Sequence, residues 1–83
     1  MFTVNAPRAA DELLEELRAR GLVVKLETID GKTKGRHWHM GYDKQPGVLE
    51  VTDLGHECEL KVASNRDGGW ATALAREVAS VKR

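Results

Sequence analysis

A single cysteine, Cys58, stands in a chain of 83 residues. It cannot form an intrachain disulfide, and alone it cannot build a thiolate zinc site. Net charge is absent as well. Thirteen Lys and Arg balance thirteen Asp and Glu, which removes the strongest electrostatic reason for non-specific binding to nucleic acid or to a membrane surface. Long apolar runs are missing: the longest aliphatic stretch is Leu22-Val23-Val24, far short of the roughly 20 residues a membrane-spanning helix needs. Arg8, Asp11 and Glu12 fall where the apolar core of a secretory signal would lie, so no such signal is read. These absences point to a reducing, cytoplasmic compartment without membrane contact.

What is present fits one small soluble domain spanning residues 1–83. The apolar fraction is 41% and the charged fraction 31%, which excludes a disordered or fibrous chain. At this length folding buries roughly 60–65% of the unfolded surface, enough for one modest core.

The first strong pattern places Ala10, Leu13, Leu14 and Leu17 at helical spacing, with acids and arginines on the opposite face. Pro7 suits a first helical position. Asp11 and Glu12 complement the positive end of the helix dipole, Arg18 and Arg20 its negative end, and Gly21 suits the cap. The spacing predicts a helix over 7–20. From Leu22 to Ala63 the period becomes two, with Leu22, Val24 and Leu26 expected inward. Turns are read at 30–35, at 44–47 around Pro46-Gly47, and at 54–57, separating four strands. Trp70, Ala71, Leu74, Ala75, Val78 and Val81 then return to helical spacing, with Ser64 or Asp67 as the N-cap.

The expected fold is therefore α+β: a helix, a four-stranded antiparallel meander and a second helix (α-β-β-β-β-α), both helices on one face of the sheet. The other face is left open. Alternation along residues 36–42 puts Trp38, Met40 and Tyr42 toward the helices and His37 and His39 outward. Matching apolar sets pairs Tyr42 with Leu49, Met40 with Val51 and Val51 with Leu60. Glu50 then faces Gly41 and Lys61, Thr52 faces His39, and Glu27 lies opposite His37 or His39. The expected open face carries Lys25, Glu27, His37, His39, Glu50, Thr52, Glu59 and Lys61.

Three constellations on this plan bear on chemistry. His37 and His39, two residues apart on a strand, point the same way and suit a divalent metal, with Glu27 as a third ligand; with no third histidine nearby, two solvated face histidines are the favoured reading. Lys32, Lys34, Arg36 and Lys44 surround one hairpin with Trp38 and Tyr42 between them, an interleaving that serves single-stranded nucleic acid when the aromatics are exposed. Their place on the inward set makes the bases ordinary turn charges instead. Arg66, beside Gly68-Gly69 and Trp70, could hold an anion at the mouth of the last helix, or Trp70 simply anchors that helix. Cys58 is read as a small core side chain, and His56 lies in a turn. Phosphate-loop, nucleophile-elbow, metalloprotease and dinucleotide fingerprints are all missing, so no cofactor is expected.

The order helix–strands–helix resembles double-stranded RNA-binding domains, although the lysine cluster opening their last helix is replaced here by Asn65-Arg66-Asp67-Gly68-Gly69. Gly35-Arg36-His37 is similar to the Gly-Ser-His motif of HicA-type RNase toxins, with arginine in the place of serine. That resemblance implies an acid/base role for His37 in RNA cleavage. Taken together, the residues point to a non-catalytic interaction module using the open sheet face or a strand edge. Its partner would be a protein or a second copy of the chain; the alternative is an RNA-directed protein. The candidate contact residues are His37, His39, Glu27, Arg36, Lys34 and Arg66.

Overall fold

Period-two segments rich in β-branched and aromatic residues build the sheet, and two amphipathic segments cover one side of it. The computed structural model describes residues 1–80. The chain runs β1 (Phe2–Ala6), α1 (Ala10–Ala19), β2 (Val23–Ile29), β3 (Arg36–Gly41), β4 (Leu49–Asp53), β5 (Cys58–Val62) and α2 (Ala71–Ala79). Val81, expected in the last helical pattern, lies outside the described residues. Every strand pairing is antiparallel, and the sheet order is β1-β5-β4-β3-β2. Helix α1 thus carries the chain from one sheet edge to the other, and the meander returns to close on β1. Among the described residues no helix is long and apolar enough to cross a membrane.

The α+β class and the four-strand meander agree with the sequence, but the order gains a strand. Phe2, Val4 and Ala6 alternate inward and pair with Val62, Leu60 and Cys58. Because β1 runs to Ala6, α1 begins at Ala10 and not near Pro7. Its other end matches expectation. Gly21 has φ +99°, and the Gly21 and Leu22 amides donate to the Arg18 and Leu17 carbonyls, the paired bonds of a left-handed glycine cap.

One core joins both helices to one side of the sheet: Leu13, Leu14 and Leu17 of α1, Leu74 and Val78 of α2, and Trp38, Met40, Leu49, Val51 and Leu60 of the strands. Trp38 is 1% exposed. Arg20 links the helices, its guanidinium lying 2.7 Å from Glu77 and 3.0 Å from Glu16.

Two registers differ from those expected. Met40 faces Leu49 and Trp38 faces Val51, a slip of two residues. The β3–β4 connection is a seven-residue loop, 42–48, and not a tight turn. It is fastened to the β5–α2 loop by Trp70 Nε1–H donating to the Pro46 carbonyl at 2.8 Å and Val48 N–H donating to the Arg66 carbonyl at 2.8 Å. Gly68 permits this approach, because a Cβ there would collide with the Pro46 carbonyl. In β2 the register shifts between Val24 and Leu26. This bulge at Lys25 leaves Val24 inward and turns Leu26 outward, 52% exposed, correcting its expected core position.

Arg8, 5% exposed, reaches Glu16 and Glu12 of α1. Burial opposes ionisation of Glu16, but hydrogen bonds and charge from Arg8 and Arg20 outweigh it and hold this carboxyl below its ordinary range. A lowered carboxylate stabilises the fold above the ordinary carboxylate range, and that contribution is lost as pH falls through the folded-state value. Glu16→Gln is therefore expected to be less stable than wild type at pH 7, with the gap closing at acid pH. Urea unfolding at a series of pH values checks it; a gap that does not shrink with acid refutes the assignment.

Candidate functional site

Trp38 and Met40 are drawn under the helices, so strand alternation sends His37 and His39 to the uncovered face. The same rule on β4 buries Leu49 and Val51 and turns Glu50 and Thr52 to the histidine side. In the observed register Glu50 is opposite His39 and Thr52 opposite His37, where Gly41 and His39 had been expected. The slip of two residues preserves the face and changes the neighbours.

The result is a cross-strand cluster. His37 Nε2 lies 3.3 Å and His39 Nε2 3.8 Å from the same oxygen, Glu50 Oε1. His37 Nδ1 and Thr52 Oγ1 are 2.7 Å apart. The two imidazoles meet edge-on, with ring centres separated by 5.1 Å. Although no helix among the described residues covers this face, the side chains of His37, Glu50 and His39 are only 13%, 18% and 24% exposed.

Thr52, His37 and Glu50 have the connectivity of a nucleophile, a base and an orienting acid. Thr52 is only 4% exposed, however. Its contact with Nδ1 restrains the orientation of the His37 ring.

Glu27, expected as the third ligand, is not in the cluster. The bulge at Lys25 places it opposite Trp38 on the helix side, where its carboxylate accepts from Arg36 Nε and Nη2 at 3.2 and 3.1 Å. Glu50 takes the place assigned to it. Arg36 likewise faces the helices, its guanidinium 4.8 Å from the Trp38 ring centre and 3.9 Å from Asp11. Lys34 sits exposed in the β2–β3 turn with φ +62°. Arg66 is exposed on the β5–α2 loop. None of these three is brought to the histidines.

The aromatic–basic hairpin offers no stacking platform, since Trp38 is buried and Tyr42 packs edge-on against Trp70 with ring centres 4.7 Å apart. Trp70 serves as an anchor, as its bond to Pro46 shows. The N-cap position of α2 is Trp70, without a side-chain cap bond, and not Ser64 or Asp67 as expected; Asp67, three residues earlier, still accepts from the Thr72 amide of the first turn at 2.8 Å. In Gly35-Arg36-His37 the glycine has a packing reason, because a Cβ would run into the Asp53 carbonyl. No family model, no curated protein and no solved structure matches the chain.

Cys58 is fully buried beneath the helices, and burial followed by the nearby Asp53 charge pushes its thiol up to about 11. A thiol reagent at pH 8 is expected to leave the folded protein unmodified and to react promptly in denaturant. Rapid labelling of the native chain would contradict the buried placement.

Proposed function

We propose that the protein is a small, non-catalytic interaction module whose open sheet face takes a second copy of the chain. The observation that supports this reading most is the outward turn of Leu26. The β2 bulge leaves it exposed, with Val23 41% exposed on the same face, beside the histidine cluster. An apolar strip bordered by polar residues on an uncovered surface is the composition of a contact site.

Charge favours self-association over a polyanionic partner. The face carries Lys25 and Lys61 against Glu50 and Glu59, so it can complement its own two-fold copy. Zero net charge leaves no long-range repulsion between copies. The face serves better than the β2 edge, because the bulge and Lys25 interrupt the regular ladder that a pairing strand would need.

Sedimentation equilibrium from about 10 µM to about 1 mM is expected to show a monomer–dimer transition. Replacing both Val23 and Leu26 with serine should weaken it at least tenfold, the size expected when roughly 1.4 kcal/mol or more of apolar contact is lost. A monomer throughout that range refutes the reading. A salt-dependent RNA gel shift by a monomeric chain would put the RNA-directed alternative in its place.

A further inference from the structure

We propose that His37, His39 and Glu50 form a binding site for one divalent transition-metal ion of the zinc class. The site is built within a single chain and does not depend on self-association. Its three donors come from adjacent strands and all lie within 4.8 Å of one another. Zinc bound at about 2.0–2.1 Å to nitrogen and oxygen sets tetrahedral donors about 3.4 Å apart. The separations from Glu50 Oε1 to His37 Nε2 and His39 Nε2, 3.3 and 3.8 Å, already approach that edge. The remaining closure that coordination requires falls mainly on His39, the more distant of the two rings from Glu50 Oε1.

Thr52 supplies the orientation that a metal-bound imidazole requires. With His37 Nδ1–H donating to Thr52 Oγ1 at 2.7 Å, the Nε2 lone pair points toward the Glu50 carboxylate. Two electron-rich atoms 3.3 Å apart repel unless a proton or a cation lies between them. A metal ion there replaces the proton, receives both lone pairs and keeps the Thr52 bond as its outer support. Two neutral imidazoles and one carboxylate suit zinc, cobalt(II) or iron(II) and are poor donors for calcium or magnesium. Three protein ligands leave a fourth position for water or an incoming donor.

Isothermal titration calorimetry of the metal-free full chain with zinc chloride at pH 7.5 tests the site, with cobalt(II) binding followed by visible absorption. The expected result is one ion per chain with micromolar or tighter affinity, and the absorption of four-coordinate cobalt. His39→Ala and Glu50→Gln should each weaken zinc at least tenfold. Thr52→Val should weaken it by about ten- to a hundredfold, the usual effect of removing an outer support, whereas His56→Ala, in an exposed turn, should leave it unchanged. The Val23→Ser/Leu26→Ser double variant should bind zinc as a monomer, which separates failure of this site from failure of self-association. The proposal is overturned by the absence of saturable binding up to about 1 mM zinc. It is equally overturned by an affinity that His39→Ala and Glu50→Gln leave intact, with circular dichroism confirming that both are folded.

Discussion

Burial of the Trp38 indole is the constraint on which the molecule turns. The Arg36 guanidinium lies over the ring, which belongs to the core that both helices share. Removing a buried tryptophan costs about 3–5 kcal/mol, a large share of the roughly 5–15 kcal/mol that holds a small domain together. A strand side chain fixed inward fixes its two neighbours outward, so the imidazoles of His37 and His39 have no alternative direction. Pairing of Trp38 with Val51 does the same for Glu50 and Thr52 on β4. The interaction that stabilises the fold therefore also assembles the histidine cluster.

At the bulge at Lys25, local energetics run against the isolated chain. Turning Leu26 into solvent forgoes much of the roughly 1.5–3 kcal/mol that burying a leucine contributes. In exchange Glu27 gains Arg36, but both side chains of that pair are 50% exposed, and such pairs contribute at most about 1 kcal/mol. Those two contributions, taken alone, leave a deficit. It closes if Leu26 is covered by another surface, which is the physical content of assigning the open face to a second copy.

The sequence carried face assignments better than neighbour assignments, for a geometric reason. Alternation is a local property, so Trp38 inward and His37 outward could be read from residues 36–42 alone. Register depends on loops, and the β3–β4 loop is set by a tryptophan more than twenty residues away, through Trp70 and Pro46. A slip of two left every face correct and still exchanged Gly41 for His39 as the partner of Glu50. A bulge changes parity itself: one extra residue at Lys25 sent Glu27 to the helices and Leu26 to solvent, and nothing in Val23-Val24-Lys25-Leu26-Glu27 announces it. Strand β1 was a different matter. Phe2, Val4 and Ala6 carry the same period-two signal as the other strands, but next to a proline that reads equally well as a helix start.

The two uses assigned to the open face are physically connected, because Leu26 is the register partner of His39. A surface that covers Leu26 also lies over the ligand cluster and excludes water from it. Exclusion of water lowers the local dielectric and strengthens attraction between a cation and the Glu50 carboxylate, while the docked surface can fill the fourth coordination position. Coupling of this kind is reciprocal: whatever factor a bound metal adds to association, association returns to metal affinity. A flat sheet face with three converging donors is a shallow metal site by itself. Against a second surface it becomes an enclosed one, and its position beside the exposed apolar strip gives that enclosure a structural basis.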